Sequence, residues 1–338
     1  MLRSSARVLA LSFLPLALAM LLVQPEPVCA RRAAPPEAST FDLDPSHPLS
    51  DAQRARLAAI PDEHTPDPGE HYPVSNEWRH DLWQPSIQDL GGIYVGVGAD
   101  QGYTLAAVQN ASLALLVDFD PVVPLVHRMY SVLIPVSDSP AALAARFSNA
   151  QAQQTRAMLE TGLMGDPQRT AILRLFDRTR TRWARYMGAV MRSRYGSTWL
   201  GDATLYARVR ALFQSGRIVA RNGDVTAATT LRDIGRVSQE FGVPVRVIYF
   251  SNAEQFFPYT PDFTLNMQGM NTDARTVVLR TFRHRGTTYP AGDRWHYVVE
   301  PFSDFRARLE GGLRHSRNLV AEIVRQRGGV PGLTVLGR

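Results

Sequence analysis

The chain contains no lysine; all 37 of its basic residues are arginine. A Schiff-base lysine, a P-loop lysine and a Ser-Lys nucleophile pair are therefore excluded. Cysteine is almost absent too, with Cys29 alone in 338 residues. That excludes a disulfide framework and thiolate metal sites. The eight histidines lack metal-ligand spacing, and His64, His71 and His80 form no H-x-x-x-H helix. There is no G-x-S-x-G elbow, and no nucleophile is indicated beside His284, His296 and Asp293.

The N-terminus carries an address. Arg3 and Arg7 precede an apolar run from Val8 to Val23, followed by Gln24-Pro-Glu-Pro and Val28-Cys-Ala30. A basic start, an apolar stretch of roughly 15 residues and small residues before a break describe a secretory signal. A membrane span needs roughly 20 residues. Residues 1–30 are expected to be a signal peptide cleaved after Ala30, its only membrane contact the transient one of export, leaving an exported (periplasmic or secreted) protein without cysteine. Lipidation of Cys29 is the alternative, with Glu26 and Val28 standing where a lipid-attachment box has aliphatic and small residues.

Charge is uneven. Residues 31–75 hold eight acidic and four basic side chains, although the whole chain carries +6. The basic remainder favours a small anionic or nucleotide-like ligand. Residues 31–75 also contain eight prolines. They read as an extended, disordered linker, with a short helix over Ser50–Ile60 capped by Ser50. The folded domain is expected from residue 76 to 338.

Alternating strand and helix patterns then predict an α/β, Rossmann-like, mostly parallel sheet. Expected strands are Ile93–Val97, Leu113–Asp118, Arg217–Ala220, Val243–Phe250, Thr276–Arg283 and Trp295–Val299. A helical insertion after the second strand spans about 121–215, with Ser139-Pro140, Asp166-Pro167 and Asp202 as helix starts. Glu77–Gln84 is expected as a short helix broken before Pro85, Thr104–Gln109 and Thr226–Phe241 as helices, and Phe302–Arg327 as a closing helix weakened at Gly311-Gly312. Arg169–Arg194 holds eight arginines interleaved with Trp183 and Tyr186. Its stripe of Ile172, Phe176, Trp183, Met187 and Val190 marks a helix packed on its domain with a solvated basic face. No nucleic-acid partner is expected of an exported protein.

Chemistry concentrates in two places. Gly96, Gly98 and Gly102 follow a strand and precede a helix, and Asp118 ends the next strand. Glycines at such a turn admit a ligand close to the backbone, the helix N-terminus attracts anions, and the acid can accept ribose hydroxyls. The same glycines can equally shape a βα turn alone, with Asp118 capping the next helix. After the strand at 243–250 comes Ser251-Asn-Ala-Glu-Gln255. Asn252 and Glu254 there face the carboxyl ends of the strands, as candidate catalytic groups or as turn-forming residues. Phe256 and Phe257 read as core, and His127 as a buried helix residue.

Val95-Gly-Val-Gly-Ala-Asp-Gln101, Leu116-Val-Asp-Phe-Asp120 and Tyr249-Phe-Ser-Asn-Ala-Glu-Gln255 resemble an uncharacterised bacterial family whose fold is similar to class I S-adenosylmethionine-dependent methyltransferases. The resemblance covers roughly residues 76–285. It implies a cleft formed by Gly96, Gly98, Asp100, Gln101, Asp118, Asp224, Asn252 and Glu254, with S-adenosylmethionine as the cofactor and no metal. Gly102 stands where that family has asparagine. Tyr94 stands where working methyltransferases have an acid. Two functions follow as expectations: a non-canonical or degenerate methyltransferase, or a non-enzymatic envelope protein binding an anionic small molecule or a protein partner.

Overall fold

The computed structural model describes residues 41–326 and 329–337. The signal at 1–30, Ala30, Cys29 and residues 31–40 of the expected linker lie outside the described residues.

Among the described residues, seven strands form one sheet in the order β3-β2-β1-β4-β5-β6-β7. They are β1 (Ile93–Gly96), β2 (Leu113–Asp118), β3 (Ile218–Asn222), β4 (Val245–Ser251), β5 (Thr272–Phe282), β6 (His296–Pro301) and β7 (Leu333–Val335). The first five run parallel, β6 is antiparallel to β5, and β7 is parallel to β6. Apolar side chains on both faces of β1, β2 and β4 explain why these strands sit centrally: helices cover the sheet on each side. The α/β, mostly parallel architecture is as expected, and it is compatible with a Rossmann-like fold.

Five helices separate β2 from β3: α4 (Val122–Leu133), α5 (Pro140–Arg146), α6 (Ala152–Gly162), α7 (Arg169–Met191) and α8 (Ala203–Gln214). Ser139 and Asp202 cap α5 and α8 through their side-chain oxygens. The expected stripe of α7 is buried, from Ile172 to Val190. Each large apolar side chain buried there contributes about 1.5–3 kcal/mol. The helices α3 (Gln101–Gln109), α9 (Thr230–Glu240), α10 (Pro261–Gln268) and α11 (Phe302–Glu310) complete the layers, and the short α1 (Asp51–Ala58), α2 (Gln84–Ile87) and α12 (Val320–Arg325) add Leu57, Ile87 and Ile323 to the buried core.

Four expectations need correction. Residues 41–75 are no disordered linker: Phe41, Leu49, Leu57 and Ile60 are buried in the same cluster as Val95, Leu115 and Phe250. The prolines restrict regular structure to α1, capped by Ser50, yet the apolar residues around it still bury their surface. Pro85 does not end a helix but sits in the first turn of α2, where its missing N–H costs nothing. The helix after the glycine turn begins at Gln101, so Gly102 lies inside it. The closing helix stops at Glu310 before Gly311-Gly312, and a 3-10 turn, α12 and β7 follow.

Sheet order reverses between β1 and β4. In an open α/β sheet the crevice beyond the carboxyl ends of such a pair is where ligands lie. Residues 60–77 cross this edge. Thr65 Oγ1 donates to the Phe119 carbonyl at 2.6 Å, beyond the end of β2. The Glu63 carboxylate accepts from the backbone N–H groups of Asp224 (2.7 Å), Thr229 (3.1 Å) and Thr230 (3.0 Å), at the start of α9. His71 Nδ1 lies 2.9 Å from Asp120 Oδ1.

Candidate functional site at the β1–β4 crevice

The glycine turn is held by the protein's own side chains. Tyr94 and Gly96 share one face of β1, and the Tyr94 phenol occupies the space a Cβ on Gly96 would need. A Cβ on Gly102 would lie 3.1 Å from the same hydroxyl. Two of the three glycines thus have a packing reason inside the chain. Gly98 has φ +86°, a conformation glycine adopts freely. Its N–H donates to Asp118 Oδ2 at 2.6 Å, and Asp118 Oδ1 accepts from Asp120 N–H at 2.8 Å. Asp118 therefore anchors the turn with both oxygens, and burial pushes its carboxyl up to about 6.

His127, on α4, lies 3.2 Å from the Gly98 carbonyl through Nε2 and bonds Tyr103 Oη through Nδ1. Burial pushes this imidazole down to about 4, and a neutral ring donating from Nε2 to the carbonyl and accepting from the phenol at Nδ1 fits both contacts.

Asp100 is fully buried, accepting from Tyr186 Oη (3.0 Å) and Trp199 Nε1 (3.2 Å). Burial raises its carboxyl to about 6 despite these two donors. Tyr186 belongs to α7 and Trp199 to the loop before α8, so the insertion builds one wall of the crevice.

The opposite wall centres on Glu77, which comes from the segment before β1. Its buried carboxylate accepts from the hydroxyls of Tyr249, Ser251 (2.7 Å) and Thr281 (2.6 Å). Burial pushes this carboxyl up, but His80 and the Thr281 and Tyr249 hydroxyls outweigh it and hold Glu77 below the usual range. His80 Nε2 is 3.8 Å from Glu77 Oε2, an ion-pair distance rather than a hydrogen bond. Ser251 has φ +53°, a strained conformation for a serine, at a register irregularity between β4 and β5. The strained backbone delivers its hydroxyl to Glu77.

Between these walls lies a narrow cleft lined by Glu77, His80, Gln101, Tyr186 and Trp199, among others. About 20 Å³ of it admits the centre of a water molecule, which is room for one or two waters or for a single small head group whose remainder stays at the open mouth, and not for an adenosyl group. Three buried polar atoms at or beside the cleft lack any hydrogen-bond partner: His80 Nε2, Gln101 Oε1 and Tyr94 Oη. Each unmet group costs about 1–3 kcal/mol. Among the described residues no arginine lines the cleft, although the chain has 37 basic residues and all are arginine.

Of the expected site residues, Gly98, Asp100, Gln101 and Asp118 meet at this crevice, with Gly96 and Gly102 packed on Tyr94 beneath it. Asn252 is near the Glu77 cradle, its Oδ1 3.4 Å from Ser251 Oγ. Glu254 is elsewhere. It accepts from Arg280 Nε at 2.6 Å and Tyr259 Oη at 2.7 Å, in a buried network with Glu300. Side chains alternate across a strand, so Thr281 reaches Glu77 while Arg280 points to the other face of the sheet. A glutamate bound in this way is structural, and it corrects the expectation of a catalytic carboxylate in the crevice. Asp224 accepts from Thr226 N–H (2.8 Å) and Thr226 Oγ1 (2.7 Å), closing the turn before α9. Phe257 is packed against the core, whereas Phe256 is 80 % exposed, which corrects its expected core placement. Among the described residues, no group of three or more His, Cys, Asp or Glu is arranged to hold a metal ion, and no helix is long and apolar enough to cross a membrane.

Sequence reasoning missed Glu77, His80, Tyr186 and Trp199 as site residues. No local signal marks them, since each acquires its neighbours through distant pairing.

A family model described as Domain of unknown function (DUF7790) matches residues 72–337. A search of curated proteins finds no match.

Proposed function

The chain belongs to the DUF7790 family, and we propose that it is a binding protein that holds a small polar ligand in the cleft between Glu77 and Gln101, on a Rossmann-like scaffold. One observation carries this reading: unpartnered polar atoms of His80 and Gln101 line the same cleft as an ionised, rigidly held carboxylate, Glu77. Native interiors leave few such groups unmet, and their clustering marks a site. The signal-like N-terminus makes it an exported protein in this reading, which suits binding in the envelope better than nucleotide chemistry.

A second reading, S-adenosylmethionine binding by a methyltransferase-like fold, is favoured by the strand order β3-β2-β1-β4-β5 and by the turn between Gly96 and Asp118. Against it stands the narrowness of the cleft. Glu77 beside Tyr94 offers a carboxylate near where the usual acid is missing.

The mature chain, from Arg31, would be titrated with S-adenosylmethionine, S-adenosylhomocysteine, NAD, glycerol, ethanolamine and acetate, following the indole N–H signals of Trp78 and Trp199 by NMR. The first reading expects one of the three small probes to shift both signals at millimolar concentration while the nucleotides do not. Tight S-adenosylmethionine binding would establish the second. Silence from every probe would sink both. A reporter fused to residues 1–40 tests export, and its retention in the cytoplasm would remove that part of the reading.

A further inference from the structure

We infer that the ligand of the Glu77 cleft is a small primary ammonium compound; this rests on the binding reading above and names its chemical class. The protein as a whole is basic, with a net charge of +6, and charge alone would point to anions. The cleft has the opposite character. Glu77 is buried with its carboxyl held in the ionised form, and among the described residues no arginine lines the space around it. A second carboxylate, Asp100, accepts from the Tyr186 hydroxyl and the Trp199 indole, two residues that line the cleft. An anion entering here would lose its hydration and meet Glu77, with His80 the one ionisable base in the lining.

The unmet atoms identify what is missing. Gln101 is 7 % exposed and its Oε1 acceptor has no donor; His80 is 6 % exposed and its Nε2 has no partner. Glu77 receives three hydroxyl hydrogen bonds, and a carboxylate offers about four lone-pair directions. A primary ammonium group brings three N–H donors and one positive charge, which matches Gln101 Oε1 and the remaining Glu77 direction, with one donor left for water. The aromatic walls of Trp78, Tyr186 and Trp199 suit the same charge, because an aromatic face attracts a cation. Trp78 and Tyr186 have ring centroids 6.2 Å apart, so the walls are close enough to share a small head group. A quaternary ammonium has the charge without the donors and would leave Gln101 unmet.

The test uses the mature chain and four probes, ethanolamine, choline, acetate and glycerol, read by calorimetry and by the Trp78 and Trp199 indole signals. Ethanolamine is expected to bind at least about tenfold more tightly than choline, and acetate not at all. Gln101→Met, which keeps size and removes the side-chain amide with its unmet acceptor, should weaken ethanolamine about tenfold while leaving the unfolding temperature unchanged. Glu77→Gln should abolish binding if it folds; the Gln101 variant keeps the test decisive if it does not. Choline binding as tightly as ethanolamine, or acetate binding, would overturn the ammonium assignment. If glycerol shifts the indole signals and ethanolamine does not, the class is wrong and the site stands. If no probe shifts them, the site itself is wrong.

Discussion

The phenol of Tyr94 lies in the space that a Cβ on Gly96 would occupy, two positions further along the same face of β1. The glycine is therefore explained by the tyrosine. Gly96→Ala should destabilise the protein by about 1–3 kcal/mol through overpacking. In a Tyr94→Val background the same substitution should cost at least about 1 kcal/mol less. Denaturant unfolding of the four proteins in a double-mutant cycle measures this coupling. A coupling near zero would show that Gly96 answers to something other than Tyr94.

Tyr94→Phe removes a buried hydroxyl that has no partner. An unmet polar group contributes nothing to offset its burial, so the variant should be as stable as the parent or more stable, by up to about 1–2 kcal/mol. A loss above about 1 kcal/mol in urea titration would mean that the hydroxyl has an acceptor.

His127 makes stability fall in mild acid. Burial lowers its folded value to about 4, against about 6.5 for the free side chain. The folded state then binds fewer protons than the unfolded state between these values. The contribution is whole above pH 6.5 and is lost as pH falls to about 4, on the order of 3 kcal/mol. Asp100 and Asp118, both raised to about 6, act in the other direction, favouring the folded state as pH falls from 6 towards 4. His127→Phe should isolate the carboxylates: its stability should rise between pH 7 and 5 more than that of the parent. NMR titration of the His127 ring in the parent should show no protonation above pH 5.

Glu254 is a structural residue, and its variants should behave as such. Glu254→Gln leaves Arg280 without one of its buried carboxylates and should cost about 3–5 kcal/mol. Ligand affinity of the folded fraction should be unchanged. A variant that folds normally yet loses binding would return Glu254 to the crevice.

Glu63 caps α9 from a distance. Glu63→Ala removes an acceptor shared by three backbone N–H groups near the positive end of a helix dipole, at a cost of about 1–2 kcal/mol. Hydrogen exchange should accelerate first at Thr229 and Thr230. Unchanged protection there would place the capping charge elsewhere.

The sequence made some of this legible and not the rest, for identifiable reasons. β2 ends at Asp118 where its apolar run ends, and Ser139 and Asp202 start helices because local chemistry suffices there. The glycine turn was located correctly, yet its cause was not, because the occupant of the space above a glycine is never written next to it. Glu77 had no signal at all: its three hydroxyl donors come from residues 172, 174 and 204 positions later. Proline content misled over residues 41–75, since it reports on hydrogen-bonded regularity and not on burial.

The crossing segment from residue 60 to 77 also sets a timetable. It is among the first parts of the described chain to be synthesised, yet Glu63 meets Thr230 across 167 positions and Glu77 meets Thr281 across 204. Neither carboxylate has its partners until most of the sheet has assembled. Contacts of such long separation form slowly, because the intervening chain must be ordered first. The leading segment is thus the last to dock, and until it does Glu77 is absent from the cleft. Acquisition of ligand binding should then trail acquisition of the sheet during refolding, with the site completed by the part of the chain that was made earliest.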